Sequence, residues 1–158
     1  AALKYFSENP EQWDILKDDP SMARRAFEEV LRLSSPVHAF FRTANIDTEI
    51  EGVPVRDGDK IMCVLGAANT DPDMWEDPYR FDVKRRAAGH IAFGTGIHVC
   101  VGMVVARQEA EALLTALAER VERIEPLEIA EWRPGNSLRM LNRGRMRLIP
   151  KHPSQPPV

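Results

Sequence analysis

Phe93-Gly94-Thr95-Gly96-Ile97-His98-Val99-Cys100-Val101-Gly102 sets one cysteine in a glycine-rich bend, and the residues beyond it, through Ala106-Arg107 and on to about Ile124, carry a long helical pattern. Cysteine ligates a metal only as the thiolate, and the first turn of a helix favours that anion through its unpaired N–H groups and its dipole. Gly94 and Gly96 let the chain turn and approach a flat ligand, and Gly102 leaves room just past the sulfur. The stretch therefore reads as a loop that holds one thiolate against a metal at the head of a helix.

A lone cysteine is commonly a small buried hydrophobe, and only the neighbours of Cys100 argue otherwise. The chain has two cysteines, Cys63 and Cys100, too few for a zinc finger or an iron–sulfur cluster, and no C-x-x-C-H for covalent haem attachment. A protein tyrosine phosphatase loop also places a cysteine before a helix with an arginine beyond. That loop needs His directly before Cys and one residue fewer between Cys and Arg than the six that separate Cys100 from Arg107.

Bulk properties narrow the classes further. In 158 residues, 44% hydrophobic and 28% charged, the chain suits a soluble globular protein with one modest core. A net charge of -3 offers no general attraction for nucleic acid. No apolar run approaches the ~20 residues of a membrane span, and no basic-then-apolar signal opens the chain. With no disulfide framework, a reducing cytoplasm is the expected compartment.

Along the chain, Ala1 to Ser7 reads as the tail of a helix, and Asn9-Pro10-Glu11-Gln12 as an N-cap, a first-turn proline and a capping-box glutamine opening a second one with Trp13 and Leu16. Asp19-Pro20-Ser21 starts another helix, its apolar positions running from Met22 to Leu33, and Ser34-Ser35-Pro36 stops it. Residues 49–65 read as short antiparallel strands turned at Gly52 and at Arg56-Asp57-Gly58-Asp59. Asn69 to Arg86 is irregular and needs internal anchors. The helix after Gly102 is expected to run to about Ile124 on Val105, Leu113, Leu117, Val121 and Ile124. Two strand-like runs follow around Trp132 to Asn136, and Met146 to Ile149 is expected to pair back before a disordered proline-rich tail, 151–158. One charge is out of place: Met22, Ala26, Glu29 and Leu33 share a helical stripe, so Glu29 needs a partner, and Arg32 lies three residues on.

The cysteine loop resembles the proximal ligand loop of the cytochromes P450, and Glu29-x-x-Arg32, a long meander and then the loop follow the order of that family. The resemblance implies a mainly α fold with small β elements, α+β, of which 1–150 would be the C-terminal, haem-ligand part. It implies haem b (iron protoporphyrin IX), with Cys100 as metal ligand and Arg42, Phe93, Gly94, His98 and Gly102 around the cofactor, Arg42 and His98 meeting the two propionates. It implies a buried network of Glu29, Arg32 and the meander residue Arg80, and a substrate pocket touched by Val37, Phe40 and Leu138. The activity implied is insertion of one oxygen atom from O2 into a small organic substrate. Electrons would come from a ferredoxin-type donor with its reductase, for which Lys84-Arg85-Arg86 and Arg107 form a candidate basic docking face. No nucleic acid or membrane partner is expected. Residues 29–42 are similar to bacterial P450s acting on para-substituted benzoates. The distal helix with its acid-alcohol pair and the helices roofing the pocket have no counterpart here, so the alternative expectation is a truncated, inactive haem-binding or interaction fragment. His38, His90 and His152 are expected at the surface.

Overall fold

The computed structural model describes residues 1–133 and 135–151. Four helices and one 3-10 turn come before the long meander in which Cys100 lies, and one long helix and a set of short strands come after. Helix α1 (Ala2–Glu8) leads into α2 (Pro10–Asp18), and a 3-10 turn over Pro20–Met22 feeds α3 (Ala23–Ser34). Asp19 caps that turn by accepting from the Ser21 N–H at 3.1 Å. Helix α3 ends where Ser35 adopts the left-handed conformation at φ 37°.

The capping box expected at α2 does not form. Asn9 Nδ2 instead donates back to the Tyr5 carbonyl at 2.8 Å, and Gln12 Oε1, buried, accepts the Val83 N–H at 2.9 Å. The polar side chain at the head of α2 thus satisfies a distant backbone group rather than its own helix.

Strand β1 (Phe40–Thr43) pairs antiparallel with β4 (Lys60–Cys63), with Arg42 opposite Ile61, and the two enclose the hairpin of β2 (Thr48–Ile50) and β3 (Val53–Val55). A single turn of helix, α4 (Leu65–Ala68), precedes the meander. Helix α5 spans Met103–Arg120, and β5 (Val121–Pro126) pairs with β8 (Met146–Pro150) while β6 (Glu131–Arg133) pairs with β7 (Met140–Arg143). Among the described residues the fold is thus mixed helix and two-stranded antiparallel sheet. Of the expected tail, Lys151 is described and its N–H donates to the Arg120 carbonyl at 2.8 Å, while residues 152–158, His152 among them, lie outside the described residues.

Helices α1, α2, α3 and α5 and strand β5 enclose the core, in which Phe6 meets Trp13 and Phe81 edge-on at 5.1 and 5.3 Å between ring centroids. Two details of α5 depart from expectation. Its inward face is Leu114 and Ala118, while Leu113 is exposed. The helix also ends at Arg120, and Val121 and Ile124 are buried on β5, where a shift in register between Val121 and Arg123 turns both toward the core. Their spacing of three mimics a helix for that reason.

No helix among the described residues is long and apolar enough to cross a membrane.

Candidate functional site

From Asn69 to Gly102 the backbone has no strand and only one 3-10 turn, Gly96–His98, so buried side chains must satisfy its polar groups. Arg32 does most of this. Its Nε and Nη2 hold Glu29 in a two-pronged pair at 2.8 and 2.9 Å; its Nη1 donates to the carbonyls of Asn69 and Pro78 at 2.8 and 2.7 Å, and Nη2 reaches that of Arg80 at 3.5 Å. All five guanidinium N–H groups are thereby used. The group also lies over the Trp75 ring, 5.1 Å from its centroid, and both Glu29 and Arg32 are wholly buried.

The third member of this network is Arg85, not the expected Arg80. Arg85 Nε donates to Glu29 Oε1 at 3.1 Å and its Nη1 to the Glu76 carbonyl at 2.7 Å, whereas the Arg80 side chain is exposed and only its backbone carbonyl takes part. The reason is the path of the chain: a left-handed Asp77 at φ 44° folds the meander so that the carbonyl of residue 80 faces inward and its side chain outward. Asp82 N–H completes the carboxylate at 3.2 Å.

Three further anchors were not read from sequence. Asn69, wholly buried, donates to Ser35 Oγ and accepts the Ile91 N–H at 2.8 Å. His90 is buried rather than at the surface, with Nε2 2.9 Å from Glu28 Oε2. Glu28 in turn accepts from Arg107 Nε and Nη2 at 2.6 and 2.9 Å. Burial raises the Glu28 carboxyl, and the hydrogen bonds from His90 and Arg107 outweigh it, lowering it to about 2. The candidate basic docking face is reduced accordingly. Arg85 and Arg107 are held in internal ion pairs, which leaves Lys84 and Arg86 exposed. His38 is also not a surface residue: it is half-buried, its ring so close to Gly66 that an added Cβ there would fall 2.2 Å from Nδ1.

These anchors lead into the cysteine loop. Gly94 N–H donates to the Ile91 carbonyl at 2.8 Å, Cys100 N–H donates to the Phe93 carbonyl at 2.8 Å, and Met103 N–H to the Cys100 carbonyl at 3.2 Å, which starts α5. Gly94 has φ +75°, and a Cβ there would stand 3.0 Å from the His98 carbonyl oxygen, so this turn requires glycine. At Gly102, the residue before α5, an added Cβ would lie 3.8 Å from Cys100 Sγ.

The loop thus gathers Phe93, Gly94, His98, Cys100 and Gly102. The Cys100 thiol is free and exposed, beside Ile97 and Val101, which are 95% and 101% exposed, and Val104 and Val105 continue this apolar surface onto α5. Arg42, on β1, is exposed and stacks on Phe40 at 4.1 Å from the ring centroid. Neither Arg42 nor His98 has a carboxylate partner among the described residues. Val37 and Leu138 meet in an antiparallel bridge, with Phe40 three residues on from Val37 at the head of β1. No hydrogen bond joins this second group to the cysteine loop among the described residues.

This arrangement fits a flat, dianionic, thiolate-ligated group: an accessible sulfur, exposed apolar side chains, and a cationic and an N–H donor, Arg42 and His98, that have no carboxylate partner among the described residues, Arg42 donating only to the neighbouring Phe41 carbonyl at 3.2 Å. Comparison with known proteins points the same way. Residues 16–126 match the family model described as Cytochrome P450. The chain is 44% identical over 150 residues to cytochrome P450 CYP199A2 of Rhodopseudomonas palustris, covering 95% of this chain and 36% of that protein. It is 37% identical over 146 residues to linalool 8-monooxygenase of Pseudomonas putida, covering 92% and 36% of the two chains. The solved structure of CYP108D1 from Novosphingobium aromaticivorans superposes with a TM-score of 0.89 at 33% identity, over 95% of this chain and 36% of that one. The chain thus spans about a third of the length of these relatives. A cysteine loop and buried Glu29–Arg32 pair, matched family residues and a shared fold together establish that this chain belongs to the cytochrome P450 family.

Proposed function

We propose that the protein carrying this chain is a haem-thiolate monooxygenase, in which Cys100 would hold haem b through its thiolate, inserting one oxygen atom of O2 into a small organic substrate. The observation that carries this reading is the exposed Cys100 thiol at the head of the 18-residue helix α5, in a loop whose two flanking segments are held by the Glu28 pairs with His90 and Arg107. When bound, haem supplies activation of dioxygen, which electron donation from the thiolate favours.

The chain's own residues have separate tasks. The Cys100 N–H to Phe93 carbonyl bond orients the sulfur, and the left-handed glycines hold the turn open to a planar group. Arg42 and His98 would meet the two propionates, as cation and N–H donor. Val37, Phe40 and Leu138 would bound the substrate on the other face. The Glu29, Arg32 and Arg85 network fixes the meander that leads to the loop, by holding the backbone of residues 69, 76–78, 80 and 82. Lys84 and Arg86 would face an acidic, ferredoxin-type donor supplied by its reductase, and the cytoplasm is the compartment that suits such a pair.

The test is the spectrum of the dithionite-reduced full-length protein under carbon monoxide. The red-shifted Soret band of a thiolate-ligated haem is expected, and Cys100→Ala abolishes it. A Cys100→Ala protein that keeps the band refutes the assignment.

A further inference from the structure

Glu28 and Glu29 are successive on α3 and so point about 100° apart. Glu29 serves the meander, and Glu28 serves the cysteine loop. One Glu28 carboxylate takes His90 Nε2 from the segment that enters the loop and the Arg107 fork from the helix that leaves it, at 2.9 Å and at 2.6 and 2.9 Å. The Ala92 N–H donates to His90 Nδ1 at 3.1 Å, which leaves Nε2 as the nitrogen that donates to Glu28. Between these two arms lies Phe93. The Arg107 guanidinium sits over its ring, 5.1 Å from the centroid, and the Phe93 carbonyl takes the Cys100 N–H. The three polar side chains are shielded, at 12%, 2% and 20% exposure for Glu28, His90 and Arg107.

We propose that Glu28, His90 and Arg107 are positioning residues for the Cys100 thiolate: one carboxylate clamps both ends of the ligand loop, and the pairing of Glu28 with Arg107 keeps the charge behind the sulfur balanced. This rests on the haem-thiolate reading above. The balance has a consequence that a purely mechanical brace lacks. Removing the carboxylate leaves the Arg107 cation uncompensated beside the loop, which favours the reduced, more electron-rich iron–thiolate unit. Removing the cation leaves the carboxylate, which disfavours it. Arg25 and Arg86 line the cleft beside Glu28 and are the same in every variant.

The experiment measures the ferric/ferrous midpoint potential and the fraction of thiolate-type carbon monoxide complex in full-length holoprotein for wild type, Glu28→Gln, Arg107→Gln and Arg107→Lys. Glu28→Gln is expected to raise the potential and Arg107→Gln to lower it, each by roughly threefold to tenfold in the one-electron equilibrium, tenfold being ~59 mV. Arg107→Lys keeps the cation but not the fork, so its potential stays with wild type while its thiolate fraction falls. Shifts of one sign in Glu28→Gln and Arg107→Gln, or an Arg107→Lys potential equal to that of Arg107→Gln, overturn the proposal. A wild-type protein without the thiolate band fails at the earlier step instead, so the two failures are distinct.

Discussion

Arg32→Met is the substitution with the largest consequence for the scaffold. Methionine keeps much of the apolar stem and contact with Trp75 and removes every donor. Glu29, wholly buried, would retain only Arg85 Nε at 3.1 Å and the Asp82 N–H at 3.2 Å. Breaking a buried ion pair by removing one partner costs about 3–5 kcal/mol. The carbonyls of Asn69 and Pro78 also lose donors at 2.8 and 2.7 Å, and each unsatisfied buried group costs about 1–3 kcal/mol. Because the terms share one residue they do not simply add, and a loss of about 5 kcal/mol is expected, a large part of the ~5–15 kcal/mol that holds a typical protein folded. Urea unfolding of the full-length protein, followed by tryptophan fluorescence, measures it. Two companions sharpen the test. Arg85→Met leaves the Glu29–Arg32 fork intact and is expected to cost about 1–3 kcal/mol, and Arg80→Met, whose side chain is exposed, stays within about 0.5 kcal/mol of wild type. An Arg32→Met protein within about 1 kcal/mol of wild type, or an Arg80→Met protein as damaged as Arg85→Met, refutes the reasoning.

Other perturbations probe separate parts of the loop. Gly94→Ala must place a Cβ at φ +75° and 3.0 Å from the His98 carbonyl; a loss of about 1–2 kcal/mol, read by thermal unfolding, is expected together with reduced haem content, and an unchanged protein would show that the turn tolerates a side chain. Gln12→Ala strips the buried Val83 N–H of its acceptor, so about 1–3 kcal/mol is lost and hydrogen exchange at Val83 accelerates. Glu28, lowered from 4.5 to about 2 in the folded protein, contributes stability that is complete above its unfolded value and is lost as pH falls through the folded one. Wild type therefore loses up to about 3 kcal/mol relative to Glu28→Gln between about pH 5 and pH 2, checked by urea midpoints at a series of pH values; parallel pH profiles would contradict it.

Some elements were plain in the sequence because the information is local. Asp19-Pro20-Ser21 caps its turn through a side chain two residues away, and Glu29 and Arg32 share one face of α3, so their pairing follows from helix geometry. The glycine-rich cysteine loop is likewise a local object. The choice between Arg80 and Arg85 was not legible. Both lie in an irregular segment without periodicity, and which one turns inward depends on how residues 77 to 82 fold against α3. His90 looks isolated in sequence and is buried only because Glu28, 62 residues away, takes its N–H. Val121 and Ile124 imitate a helix because a register shift on β5 turns both inward, and the pairing strand, β8, lies more than twenty residues on.

Sequence by itself therefore determined the family, the ligand candidate and the helical pair behind it, since each is a matter of residue type at short spacing. Tertiary structure alone decided which distant side chains satisfy the meander's backbone, which arginine completes the network, and which residues of the Lys84-Arg85-Arg86 run stay exposed. Those outcomes depend on burial: a polar group far along the chain becomes an obligatory partner only once folding has removed water from both.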